Sequence, residues 1–136
     1  MKMLLKFVLS VFVLTVSFAI AHSVGPAPKV VESFPANDST DVKPGTMELR
    51  VTFSQPMEDK SWSWAYENKD EFPEVAGGPR YLDDQRTAVL PVRLEANRRY
   101  TIWINKGSFQ NFKDQSGNPA VPYKLTFETG DAETQD

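Results

Sequence analysis

The sequence predicts an all-β protein, an antiparallel sandwich of about seven strands. Three observations carry that prediction. The segments "TMELRVTF", "RYTIWINK" and "PYKLTFET" each alternate apolar and polar side chains with a period of two, the signature of a half-buried strand. Turn-forming residues punctuate the chain at short, even intervals. Beyond the first 21 residues, no stretch repeats its apolar residues at helical spacing.

Taken in order, the chain of 136 residues opens on an export signal over residues 1–21. Lys2 and Lys6 give a positive start, an apolar run follows from Phe7 to Ile20, and Ala19-Ile20-Ala21 offers small residues to a signal peptidase. That run is shorter than the ~20 residues a membrane span needs, so no span is expected after cleavage. Residues 22–28 lack any apolar period and read as a flexible leader, and 29–129 form the folded domain. Residues 130–136 are acidic and read as a disordered tail. The expected location is periplasmic or secreted.

Within the domain, "PKVVESF" is a first, weaker strand. In "TMELRVTF", Met47, Leu49, Val51 and Phe53 share the inward face, opposite Glu48, Arg50 and Thr52. "SWSWAY", "PRYLD" and "RTAVLPV" are weaker strands. "RYTIWINK" turns Tyr100, Ile102 and Ile104 inward and therefore Trp103 outward, and "PYKLTFET" closes the sandwich with Tyr123, Leu125 and Phe127 inside. Pro44-Gly45, Gly77-Gly78-Pro79 and Asp114 through Pro119 supply turns.

Charge and composition exclude several functions. Losing Lys2 and Lys6 with the signal leaves 13 basic against 18 acidic side chains, a net charge of −5 on 115 residues. That is no footprint for nucleic acid or for anionic lipid. With no Cys and a single His, the chain lacks the usual nucleophile-and-base pairs. The adjacent carboxylates Glu58-Asp59 and Asp83-Asp84 read as solvated charge, so no enzyme activity is expected. The acidic turns "NDSTD" and "KDQSGN", with Asp38, Asp41 and Asp114, do not follow a calcium-loop spacing and read as turn stabilisers.

Several motifs together resemble a known family. "VVESFPANDSTDVKPGTMELRVTFSQPME" is similar to the opening half of the bacterial Ig-like domain of surface-layer proteins, with its P-A-x-x-x-x-x-V turn and its strand ending F-S-x-P-M. "LEANRRYTIWI" and "FKDQSGNPAVPYKLTFET" resemble its closing half, and the likeness runs from Pro28 to Thr129. It implies an Ig-like sandwich serving as a spacer or interaction module, with no active site to carry over. The opening half also resembles, more weakly, periplasmic copper-resistance proteins of Ig-like fold, whose mature chains begin with histidine.

The expected function is that of an exported, non-catalytic module contacting an envelope protein or glycan, without a cofactor. Candidate contact residues are Trp103, Trp62, Trp64, Phe109 and Phe112. For Trp62 and Trp64 a place in the core is the competing reading, and for Phe109 and Phe112 a plug at the sandwich end. The loops Glu58–Asp84 and Lys106–Pro122 are where a partner is expected to bind. The alternative is a copper protein. Cleavage after Ala21 would give His22 an amine and an imidazole, half of a square-planar copper(II) site.

Overall fold

A computed structural model describes residues 25–132. The expected signal at 1–21, His22 and the last four residues of the tail lie outside them. The described chain forms β1 (Val30–Phe34), β2 (Ser39–Val42), β3 (Gly45–Phe53), β4 (Trp64–Ala65), a 3-10 turn (Lys69–Glu71), β5 (Glu74–Val75), β6 (Arg80–Tyr81), β7 (Thr87–Leu94), β8 (Arg99–Ile104) and β9 (Tyr123–Thr129). One sheet runs β1-β3-β7-β5, with β6 also on β7; the other runs β2-β9-β8-β4. The two sheets enclose one core, in which Leu49, Val51, Phe53, Val92, Tyr100, Ile102, Ile104, Leu125 and Phe127 are buried. This is the predicted β-sandwich, and the period of two placed its inner faces correctly.

The structure corrects the prediction at four points. The segment Ser39–Val42, taken for a turn, is a strand, and it pairs parallel to β9, so one sheet is mixed. Two features hide it in the sequence: three of its four residues are polar, and left-handed residues, Asp38 before it and Asp41 within it, at φ 62° and 57°, break its regularity. Glu74–Val75 adds a second unforeseen strand of two residues. "SWSWAY" shrinks to the two residues Trp64–Ala65. Finally, the leader is not slack throughout. The Pro26 carbonyl accepts from Gln55 Nε2 and the Pro28 carbonyl accepts from the Val121 N–H; at the start of the tail, Gly130 is likewise held by the Val42 and Asn97 backbones.

β7, weak in the sequence, is central. It pairs with β3 along its whole length and with β5 and β6 on its other side. A proline in such a strand removes a ladder donor. The Pro91 carbonyl accepts from Ala76, so the position where its N–H would be faces the β5–β6 edge. The edge is broken there, where the chain leaves β5 through Gly77, Gly78 and Pro79 before pairing again as β6. A Cβ on Gly77 would meet Pro91 Cγ at 3.1 Å, so a side chain there would crowd the proline ring. On the outer face Val89 is fully buried between its register partners Arg50 and Arg80, whose guanidinium groups both hold Glu48. The arginine stems thus roof an apolar residue.

The crossing from β7 to β8 is tied by Tyr100, whose buried hydroxyl accepts from the Glu95 N–H at 2.7 Å, five residues upstream. This has the form of the tyrosine corner of Ig-like sandwiches. Tyr100→Phe leaves that N–H without its partner and is expected to lower stability by about 1–3 kcal/mol. Urea unfolding at unchanged slope checks this; a loss under a few tenths would mean that the Glu95 N–H finds water instead.

Candidate functional site

The outer face of the four-stranded sheet is set by the β8–β9 register. Trp103 stands opposite Lys124 of β9 on one side and Ala65 of β4 on the other. Since Ile102 and Ile104 are buried, Trp103 points away from the core, as the period predicted. Its Nε1 is buried and has no partner among the described residues, and the side chain as a whole is half-buried. Lys124 Nζ lies 5.9 Å from the ring centroid and Lys106 Nζ 4.9 Å, both over the ring. Lys106 is also 3.4 Å from Glu67, whereas Lys124 makes no ion pair among the described residues.

Lys106 reaches the ring because the chain turns sharply just before it. Asn105, at φ 59°, ends β8 and is completely buried. Its Nδ2 donates to the carbonyls of Phe112 and Ala120 at 2.9 and 3.0 Å, and its Oδ1 accepts from the Phe112 N–H at 3.0 Å. One side chain therefore staples both ends of the loop that follows β8. Within that loop Lys106 and Phe109 exchange two backbone hydrogen bonds around Gly107, at φ 55°.

The loop carries a second staple at Asp114, a buried carboxylate. Its oxygens accept from Gln55 Nε2 at 2.6 Å, from the Asn118 side chain and N–H, and from the Ser116 N–H. Burial pushes its pKa up, but those donors outweigh burial, and the carboxyl is held below its usual range. Asp84 is lowered as well, chiefly by the Thr87 hydroxyl, with the Arg86 and Thr87 N–H groups adding to it against burial. Both acids thus bind protons more weakly folded than unfolded. Their contribution is present above the unfolded pKa, about 4, and is lost as pH falls through the folded values. The melting temperature is expected to be level at neutral pH and to fall below about pH 4, and Asp84→Asn with Asp114→Asn should flatten that fall. An unchanged acid limb in the double variant would rule these groups out as its cause.

The other candidates separate. Phe112 is fully buried, tilted against Phe53 at 5.4 Å and met edge-on by Trp64 at 5.1 Å, so it is core and offers no surface to a partner. Phe109, three residues earlier, is 63% exposed. Trp62 and Trp64 pack half-buried against the core, Trp62 beside Tyr81 at 6.1 Å. Trp64 faces inward as the register partner of Ile104, while Tyr66, beyond the strand, is exposed. The structure brings together Trp103, Lys106, Lys124 and Glu67; it does not bring Trp62 or Phe112 into that group. Among the described residues no three His, Cys, Asp or Glu side chains are grouped to hold a metal.

Sequence reasoning found Trp103 but missed its two lysines. The turn residues after β8 were visible as Asn105-Lys106-Gly107, whereas the opposition of Lys124 to Trp103 exists only once β9 is aligned on β8.

The model of the bacterial Ig-like domain matches residues 25–129. The chain belongs to the bacterial Ig-like domain family. No curated protein matches it. Among solved structures, this Ig-like domain is similar to a chimeric titin Z1Z2 functionalized with a KLER exogenous peptide from decorin. The identity is 18%, over 79% of this chain and 97% of that one, with a TM-score of 0.39. Ig-like domains are commonly structural or binding modules, and their families are generally non-catalytic.

Proposed function

We propose that this Ig-like domain is an exported, non-catalytic contact module that works in the periplasm or outside the cell. It engages an envelope protein or glycan through the outer face of the β2-β9-β8-β4 sheet. The observation that carries the reading is Trp103. It is a large aromatic held on the solvent side of a regular sheet, with two lysines over its ring and a stapled loop beside it. Half-buried aromatics on a surface supply contact area at low entropic cost, which is why they recur in binding surfaces. The export signal and the family's character support the setting.

The reading is tested by Trp103→Ala in cells. The wild-type domain is expected to co-sediment with washed envelopes and the variant to stay in the soluble fraction, with the melting temperatures of both within a few degrees. Equal retention of both would remove Trp103 from the contact. A variant that unfolds would make the ring structural rather than a contact.

A further inference from the structure

We infer that the Trp103 face takes an acidic polysaccharide, one whose sugar rings carry carboxylates; this rests on the contact reading above. Three observations on that face select the occupant.

The first is size. Around Trp103 the outward neighbours in the register are Lys124, Thr101, Thr126 and Ala65; the last three are buried, so the one large apolar side chain these positions offer is a half-buried indole. A stable protein interface buries on the order of 800 Å² per partner around several apolar anchors. One ring matches the face of one pyranose.

The second is charge. On a domain whose mature form carries −5, the outward arginines of the strands are held by acids: Arg50 and Arg80 by Glu48, Arg93 by Glu74, Arg99 by Glu71 and Glu128. Lys124 has no carboxylate among the described residues, and its nearest described partner is the Trp103 ring. Lys106 shares its ammonium between Glu67 and the same ring. Two ammonium groups thus stand beside one aromatic with one carboxylate between them, whereas the outward strand arginines are each matched by an acid.

The third is what each class of sugar would do to those lysines. A neutral sugar stacking on the indole has to move Lys124 off the ring and leave its ammonium only water, so that cation–π attraction is lost without replacement. A uronate stacking there gives the displaced ammonium a carboxylate, so the same movement ends in an ion pair. The orphaned Nε1 is buried and takes no part, which leaves stacking and charge as the means of recognition.

The probe is polygalacturonate, compared with the same polymer after methyl esterification, which removes the charge and keeps the ring. Binding of the exported, processed domain is measured by native gel retardation at low and at physiological salt. Retardation is expected with polygalacturonate and to weaken as salt rises. The esterified polymer should give little. Trp103→Leu is expected to weaken binding about tenfold. Lys124→Gln should weaken it about threefold, with both melting temperatures kept. Equal, Trp103-dependent binding of both polymers would overturn the acidic class and leave the contact reading standing. Binding of polygalacturonate unaffected by either substitution would overturn the site. No retardation by either polymer, or retention only by a phosphate-bearing polymer, would overturn the inference. The envelope sedimentation of Trp103→Ala then decides separately whether the contact reading survives.

Discussion

Asn105→Ala is expected to destabilise the domain by about 3–5 kcal/mol, the larger of the two effects the fold predicts for a single polar residue. Asn105 is completely buried and uses all three of its hydrogen bonds on the backbone of one loop. The Phe112 carbonyl would keep a partner, since it also accepts from the Ala120 N–H. The Phe112 N–H and the Ala120 carbonyl would not, and each orphaned buried group costs about 1–3 kcal/mol. Alanine is also strained at φ 59°, a conformation that asparagine tolerates better, adding about 1 kcal/mol. Asn105→Gly separates the two causes: it removes the strain while leaving the two groups orphaned, so it should fall short of the alanine loss. Urea unfolding of the three proteins checks this. Equal stability of the alanine variant and the wild type would mean that water enters and satisfies the loop. Because Lys106 follows Asn105 directly, the same substitution should loosen the lysine over Trp103 and blunt any binding that depends on it.

The role of Asn105 also marks where the sequence stops being informative. The alternation of Tyr100, Ile102 and Ile104 runs inward, and continued one step it turns residue 105 to solvent. The structure buries Asn105 because the strand ends there in a left-handed residue, and the loop folds back over it. Periodicity carries no information about a chain that has left the strand. Where regular strand persists, the reading is faithful: Leu49, Val51 and Phe53 of β3 and Leu125 and Phe127 of β9 are buried as their spacing requires. It fails at short polar edges, since β2 has no apolar alternation and is held by pairing to β9, a partner more than 80 residues away. It understates β7, because a strand buried on both faces shows a run of apolar residues rather than an alternation, and Pro91 interrupts even that run. For the site, the sequence gives the direction of Trp103 and nothing of its surroundings. Lys124 lies 21 positions further on and becomes a neighbour only through the β8–β9 register.

Phe112→Ala is expected to cost about 3–5 kcal/mol, whereas Phe109→Ala should change stability by no more than about 0.5 kcal/mol. The two phenylalanines lie three apart in one loop, "SFQNF", and nothing in their sequence surroundings ranks one above the other. What separates them is the staple. Asn105 grips the backbone of Phe112 on both its N–H and its carbonyl and so drives that ring inward, between Phe53 and Trp64 at the sandwich end. Phe109 lies in the tight turn closed by Lys106, and among the described residues no ring is paired with it. Truncating Phe112 would leave a cavity bordered by two large aromatics on rigid strands, a site that collapses poorly, so the loss should lie in the upper part of the range for such substitutions. Truncating Phe109 removes only exposed ring. The pair therefore works as an internal control on the contact face: a binding loss in Phe109→Ala with the melting temperature kept would extend that face along the turn from Lys106. A melting loss in Phe109→Ala equal to that in Phe112→Ala would mean that the turn folds against the domain and that the exposed position of Phe109 is not the one it holds in solution.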